Sequence, residues 1–197
     1  LSAGLILGGQ WAYEELGWGG FWAWDPVENA ALMPWLTGTA FLHSVMIQEK
    51  RNMLKIWNVV LIITTFGLTI IGTFLTRSGI INSVHSFTQS EIGPAFLVYL
   101  ALVLIAGFAL LFKRIQMLES EYKIESVLCR ENVFLAQNIL LVGIAFTVLL
   151  GTTFPLLAEA VRGTKLSIQA PFFNTITAPM GYALLILMGF GMLISWR

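Results

Sequence analysis

The sequence predicts an all-α protein, a polytopic transmembrane bundle of about six helices in which the first helix is partial. The apolar residues lie in blocks, and five full blocks and one partial block approach the roughly 20 residues that a helix needs to cross a bilayer. Charged residues make up 11% of the 197 residues, less than half of the share of about 25% that is typical of a soluble domain. Helices are expected because lipid offers no hydrogen-bond partner to an open backbone.

The charge balance and the cysteine content exclude several classes of protein. Eleven basic and eleven acidic residues give no net charge, so nothing favours a nucleic-acid partner. Cys129 is the only cysteine, which leaves no internal disulfide and no C-x-x-C-H motif for covalent haem attachment within this chain. The sequence begins at Leu1 within an apolar run and ends at Arg197, where a helix would leave the membrane, so we expect a fragment or one piece of a split protein.

We expect a single transmembrane domain over residues 1–197. The partial helix ends near Gly9. The full helices are expected over about 30–47, 56–74, 94–112, 133–154 and 178–195. The connections that matter for function are a Trp-rich outer loop over 10–29, an outer loop with His85 over 75–93, and a charged loop over 113–131 on the cytoplasmic side.

The distribution of basic residues predicts the orientation. Eight of the eleven lie on one side of the predicted topology: Lys50, Arg51, Lys55, Lys113, Arg114, Lys123, Arg130 and Arg197. The other side has Arg77, Arg162 and Lys165. By the positive-inside rule the eight mark the cytoplasmic, matrix or stromal face. The Trp-rich loop then faces the periplasm or the intermembrane space, across a bacterial inner membrane or an organellar inner membrane.

The densest aromatic cluster lies in the Trp-rich loop, where residues 18–24 read W-G-G-F-W-A-W. Glycines at three of the four positions 17–20 permit a tight backbone and the close approach of a flat molecule. A broad aromatic surface suits the face of a porphyrin. The alternative is an interfacial belt, since Trp gathers at membrane surfaces. Spacing alone leaves both interpretations open.

The end of this loop carries a helix-start pattern. Asp25 is a preferred N-cap residue, Pro26 suits the first helical position, and Glu28 stands three residues after the cap, as in a capping box. We therefore expect capping, rather than metal binding or acid–base chemistry, for Asp25 and Glu28. Pro34 is expected to kink the helix that follows.

The residues of the loop also carry a resemblance. W-G-G-F-W-A-W-D-P-V-E-N-A over 18–30 resembles the WWD signature of the haem-handling protein family, and its D-P-V-E-N-A…M-P-W continuation is similar to the CcmF branch of cytochrome c-type biogenesis. The CcsA and CcmC branches usually read differently after the Asp. The likeness continues at 37–44, 73–79, 83–87, 151–156 and 171–174, and so covers nearly the whole chain.

The resemblance implies a haem-binding subunit of a cytochrome c haem lyase, which positions haem for attachment to apocytochrome c. The implied haem contacts are Trp18, Gly19, Gly20, Phe21, Trp22, Trp24, Asp25, His43, Arg77 and His85. His85 would ligate the iron of the delivered haem, and His43 that of an embedded b-type haem. From the residues alone, His43 is equally a neutral His bonded to a neighbouring helix, His85 a solvated loop His, and Arg77 an ordinary interfacial Arg.

The implied ligand sets are incomplete in this sequence. The second outer-face His is expected before the Trp-rich loop, and the sequence starts too late to contain it. In some members of the family the partner of His43 lies just after the Gly-Thr-x-x-Pro segment, where this sequence has Ala158 and Glu159 and no second membrane His. The embedded haem is therefore absent, ligated differently or completed by another chain, and these alternatives stay open.

The same resemblance implies the partners. They are haem, a CcmE-like haem chaperone, CcmH-like subunits, an apocytochrome c with C-x-x-C-H and the lipid bilayer, with no nucleic acid. The chain is expected to act within a multi-subunit holocytochrome c synthase that forms thioether bonds, and not alone. Two rival hypotheses remain: a haem exporter or delivery module of the CcmC or CcsA type, and a non-haem transporter or structural membrane subunit.

Overall fold

The computed structural model describes residues 1–17, 20–78, 92–119, 129–163 and 166–194, and all regular structure in these ranges is helical. A single turn of 3₁₀ helix covers Ile115–Leu118. The α-helices are α1 (Ser2–Glu15), α2 (Pro26–Arg51), α3 (Lys55–Arg77), α4 (Gly93–Lys113), α5 (Arg130–Arg162) and α6 (Ala170–Leu193). The predicted all-α bundle with a short first helix is confirmed.

Helix length separates α1 from the others. Helices α2 to α6 are each long and apolar enough to cross a membrane, whereas the 14 residues of α1 extend only about 21 Å at 1.5 Å per residue. The hydrocarbon core of a bilayer is about 30 Å thick. The chain is thus an integral membrane protein with five candidate spans among its described residues.

The helices on either side of the Trp-rich loop are longer than the sequence predicts. Helix α1 continues to Glu15, and α2 begins at Pro26, as the capping pattern predicts but earlier than hydropathy does, so the predicted loop over 10–29 shrinks to residues 16–25. Gln10 Nε2 donates a hydrogen bond of 3.2 Å to Glu14 Oε1 one turn later, which supports the extra turn. The prediction was wrong because hydropathy marks where a helix leaves lipid, and the helical backbone continues beyond that point.

The boundaries of α5 and α6 also differ from the prediction. Helix α5 does not end at Phe154 but passes through Pro155 and ends at Gly163, which adopts the left-handed conformation at φ 66°. A proline within a membrane helix is tolerated where neighbouring groups satisfy the freed carbonyl. Helix α6 begins at Ala170, within the stretch predicted as loop up to Thr177. The predicted loop over 113–131 likewise contains the 3₁₀ turn and the first residues of α5.

Helix α2 lies at the centre of the bundle. It packs against α3 on one side and α5 on the other, while α4 packs on α3, α6 on α5 and α1 on α2. The core residues that these helices share are Met33, Leu36, Ala40, Leu61, Leu68, Leu141, Ile144, Ala145, Val148 and Phe173. Pro34 lies inside α2 without ending it.

Contacts between helices define two ends of the bundle. At one end Asn29 Nδ2 of α2 donates to Thr152 Oγ1 of α5 at 3.0 Å. At the other end Arg51 Nε lies 2.9 Å from Glu131 Oε1. The described basic residues of the second end are Lys50, Arg51, Lys55, Lys113, Arg114 and Arg130. Arg77 and Arg162 end their helices at the first end, beside the Trp-rich loop, so the bases segregate as the sequence predicts.

Candidate functional site

Trp24 is the most constrained residue of the loop. Its φ is 61°, a left-handed conformation that bulky side chains rarely adopt and that surrounding contacts must maintain. Its Nε1 donates to Asn174 Oδ1 of α6 at 2.7 Å, and its ring stacks on Phe173 with centroids 4.9 Å apart. Its carbonyl accepts a 3.0 Å bond from Asn29 Nδ2. The loop is therefore fastened to α2, α5 and α6.

The predicted capping box follows directly. Asp25 Oδ2 accepts from the Val27 backbone N–H at 3.0 Å, and Glu28 Oε2 accepts from the backbone N–H of Asp25 at 3.2 Å. Glu28 Oε2 also accepts from the Ala23 N–H at 3.0 Å. The prediction that these two carboxylates cap α2 is confirmed. They satisfy backbone donors that would otherwise lack partners at the helix start.

Trp22 meets Trp24 edge to face, with centroids 5.9 Å apart at 89°. Its Nε1 is buried and has no hydrogen-bond partner among the described residues. Trp22 lines a cleft of about 440 Å³ between α1, the loop and α2, and also a neighbouring cleft of about 160 Å³. The larger cleft is lined by Ser2, Leu5, Ile6, Gly9, Phe21, Trp22, Leu32 and Trp35. Trp22 thus contributes aromatic surface to a mostly apolar space, and no described residue accepts a hydrogen bond from its buried indole N–H.

Phe21 and α1 form one wall of this space. The Phe21 ring stacks on Tyr13, with centroids 4.5 Å apart, and one side of it is exposed. A Cβ at Gly9 would lie 3.1 Å from the Phe21 carbonyl oxygen, so glycine allows the loop to approach α1. Across the cleft, Trp35 Nε1 donates to Ser2 Oγ at 2.9 Å.

The structure divides the predicted aromatic platform into two parts. Phe21 and Trp22 border the clefts, whereas one face of Trp24 is covered by Phe173. Gly20 is partly buried, and Trp18 and Gly19 lie outside the described residues. Sequence reasoning did not single out Asn29, Phe173 or Asn174. The signal was present, because Asn29 closes the W-D-P-V-E-N motif and 171–174 is one of the similar segments.

His43 occupies a separate place. It lies on α2, where its ring stacks on Phe134 of α5 with centroids 5.3 Å apart. Its Nδ1 is buried and has no hydrogen-bond partner among the described residues. From Asp25 to His43, α2 rises about 27 Å at 1.5 Å per residue. His43 and the Trp-rich loop therefore form two distinct sites.

The remaining candidates lie near the loop or outside the described residues. Arg77 is exposed at the last residue of α3. Phe74 and Leu75, in the same turn, pack with Ala30 at the start of α2, so Arg77 is at the loop's end of the bundle. His85 falls within 79–91 and lies outside the described residues.

The donor set suits a haem better than a bare metal ion. Among the described residues there is no group of three or more His, Cys, Asp or Glu that could hold an ion, and Cys129 is buried. Haem iron needs only one or two axial ligands, often imidazole, with apolar surroundings for the ring. The imidazole of His43, which stacks on Phe134 of α5, meets the first requirement.

The class of this protein follows from its similarity to a family of known proteins. A family model described as cytochrome C assembly protein matches residues 1–81, which include α1, the Trp-rich loop and α2. Together with the five candidate spans, this defines an integral membrane protein of the cytochrome c assembly class.

Individual relatives narrow the class to a family. The cytochrome c-type biogenesis protein CycK of Rhizobium meliloti is 46% identical over the whole chain, and the CcmF proteins of Pseudomonas fluorescens and Escherichia coli are each 43% identical. A solved structure described as cytochrome c heme lyase CcmF superposes with a TM-score of 0.77 at 40% identity, covering 100% of this chain and 28% of that one. The chain belongs to the CcmF family. It spans 29% of the CycK relative and 30% of each of the two CcmF proteins.

Proposed function

We propose that the chain is the haem-binding segment of a cytochrome c haem lyase and that it acts within a multi-subunit holocytochrome c synthase. The observation that carries the proposal is Trp22, which lines two adjoining clefts and whose buried indole N–H has no partner among the described residues. The similarity over the whole chain to CcmF proteins supports the same function. The haem-exporter and non-haem alternatives are not favoured.

The site suits a flat apolar ring with charged edges. Phe21 and Trp22, which both line the larger cleft, supply aromatic surface for the porphyrin. Arg77, at the same end of the bundle, can bind a propionate through its guanidinium fork. Trp24 serves a different purpose, because Phe173 and Asn174 already occupy its face and its N–H. Trp24 fixes the loop so that Trp22 keeps its place.

Two histidines are proposed as iron ligands at two different haems. His85 ligates the iron of the haem being delivered. His43 ligates an embedded b-type haem, since a neutral imidazole is a common iron ligand. The rise of about 27 Å along α2 is too long for His43 to reach a haem held at the Trp-rich loop.

The reaction needs positioning more than side-chain chemistry. Each thioether bond forms when the S–H of a C-x-x-C-H cysteine adds across a haem vinyl group, so all atoms remain in the product and nothing leaves. Holding haem and apocytochrome c in register supplies most of the acceleration that a protein can give. We assign delivery of haem to a CcmE-like chaperone and presentation of the apocytochrome to CcmH-like subunits.

The proposed site faces the outside of the membrane. The described bases at the opposite end of the bundle mark the cytoplasmic, matrix or stromal side. The Trp-rich loop then opens to the periplasm or the intermembrane space, across a bacterial or organellar inner membrane.

The proposal is tested by the yield of holocytochrome c in cells, measured by haem staining of a c-type reporter. Trp22→Ala and His85→Ala in the complete protein should each abolish the reporter. Trp57→Phe is the matched control, because Trp57 on α3 also has a buried Nε1 that no described residue satisfies but lies far from the loop. Normal reporter yield in Trp22→Ala, with the variant present in the membrane, would reject the proposal.

A further inference from the structure

The seam between α2 and α5 contains buried polar side chains that no proposed role uses. Two contacts fix its register: Asn29 with Thr152 at the loop end, and Arg51 with Glu131 at the basic end. Ser44 lies seven residues, or two helical turns, before Arg51 on α2. Asn138 lies seven residues after Glu131 on α5, in the same direction along the bundle. The register therefore sets Ser44 opposite Asn138.

Both residues are completely buried, with 0% of each exposed. Ser44 Oγ, Asn138 Oδ1 and Asn138 Nδ2 have no hydrogen-bond partner in the described ranges. His43 stacks on Phe134, which lies one turn from Asn138 on α5. His43 Nδ1 is therefore near the level of Ser44 and Asn138, and it too has no hydrogen-bond partner among the described residues. Four polar atoms that the described chain leaves unsatisfied thus gather near one level of the seam.

Such a cluster is costly inside a membrane. Lipid supplies no partners for buried polar groups, so each unsatisfied group is strongly unfavourable in hydrocarbon. A buried water typically makes about three hydrogen bonds to groups of this kind. The hydroxyl, the amide and the ring nitrogen together provide the two to four partners that hold a water.

Polar side chains continue along α2 towards the basic end of the bundle. Gln48 lies one turn beyond Ser44, and its Oε1 accepts a 2.6 Å bond from Asn58 Nδ2 of the other neighbouring helix, α3. The Arg51–Glu131 ion pair follows. Ser44 lies only about 10 Å along the axis from Arg51, at 1.5 Å per residue, so the buried polar atoms are close to the basic end of the bundle.

We propose that Ser44 and Asn138 form a buried water-binding site between α2 and α5 that adjoins His43. The water accepts the Nδ1–H of His43 and so fixes the ring tautomer that leaves Nε2 free. A metal-ligating His commonly donates its other ring N–H to such a partner. This last step rests on the proposed ligation of haem by His43, whereas the water site does not.

The water site is tested on the full-length protein purified without haem. Hydroxyl radicals are generated by an X-ray pulse in heavy-oxygen water, and labelling of Phe134 is read by mass spectrometry. A bound water should label Phe134, and Ser44→Ala and Asn138→Leu should each reduce that label severalfold. The matched control is Thr37→Val, also buried on α2, because the Thr37 hydroxyl already bonds to Met33 O and to Thr65 Oγ1 of α3.

Thermal unfolding in detergent provides a second readout. If one water bridges the two side chains, combining Ser44→Ala with Asn138→Leu should lower the melting temperature no further than the more damaging of the two substitutions does alone. Additive effects, or a Phe134 label that persists in both variants, would overturn the proposal. Coupled effects without any Phe134 label would mean that Ser44 and Asn138 bond directly, and would overturn it equally. A haem-loaded preparation in which His43 proves not to ligate iron would reject the His43 role and leave the hydration result standing.

Discussion

The Trp24 indole N–H donates a 2.7 Å hydrogen bond to Asn174 Oδ1, and this bond joins the Trp-rich loop to the first turns of α6. The Trp24 ring stacks at the same time on the neighbouring Phe173. A left-handed Trp is strained, and these contacts hold it in place. Trp24 is thus fixed by α6, while Trp22 remains available beside the clefts.

Replacing Asn174 with Leu should release this fastening. The variant loses a side-chain hydrogen bond, so we expect a loss of about 1 kcal/mol in stability, together with a lower haem content because the loop no longer holds Trp22. Thermal unfolding in detergent and haem assay of the full-length protein measure both effects. Asn174→Asp keeps an acceptor at the same position and should retain most of the stability and most of the haem content. Equal losses in both variants would contradict the role of the acceptor.

Asp25 is expected to act as a cap and not as a haem contact. Asp25→Ala should cost about 1 kcal/mol, the typical value for loss of an N-cap, whereas Asp25→Ser keeps a capping oxygen and should be nearly neutral. Haem content should follow melting temperature, so that both fall in Asp25→Ala and neither changes much in Asp25→Ser. If Asp25→Ser keeps its melting temperature and still loses haem, the carboxylate has a direct role in binding.

Gly151 on α5 provides a test of how α6 is seated. A Cβ there would overlap the Phe173 ring, so Gly151→Ala should displace Phe173 and cost about 1–3 kcal/mol by overpacking. Because Phe173 stacks on Trp24, the intrinsic Trp fluorescence should change as well. Gly181→Ala on α6 is the control, since a Cβ at that position would meet no heavy atom of the described residues within 4 Å. Similar effects in both variants would rule out the specific contact.

His43→Ala separates the two proposed haems. The substitution should remove the b-type absorption of the embedded haem and leave haem at the Trp-rich loop, because about 27 Å of helix separates the two sites. Reduced-minus-oxidised optical spectra of the full-length protein measure this, with the exposed Met46→Ala on the same helix as control. A b-type spectrum that is unchanged in His43→Ala would count against ligation.

Much of the fold could be predicted from composition, because an apolar block of membrane length satisfies its backbone hydrogen bonds in lipid by forming a helix. The capping box at Asp25 and Glu28 was equally visible, because its residues are adjacent in sequence. Helix ends were less predictable: Pro155 lies inside α5, where a proline would end many soluble helices. Hydropathy also could not show that the helical backbone of α1 continues to Glu15.

The candidate site was predictable only in part, for a different reason. The aromatic loop is visible as a dense local pattern, but its fastening depends on Asn174, whose contact with Trp24 crosses 150 residues. No local pattern encodes such a pairing. The buried polar pair of Ser44 and Asn138 likewise becomes visible only when two distant contacts fix the register of α2 against α5.

The central claim is that haem binds beside Trp22, and the most direct measurement is the haem content of the purified full-length protein. Haem per protein is determined by pyridine haemochrome assay for Trp22→Ala and Trp22→Phe, with Trp57→Phe as control. We expect loss of the delivered haem in Trp22→Ala, partial retention in Trp22→Phe, which keeps an aromatic ring but lacks the N–H, and no change in the control. A full complement of delivered haem in Trp22→Ala would contradict the claim.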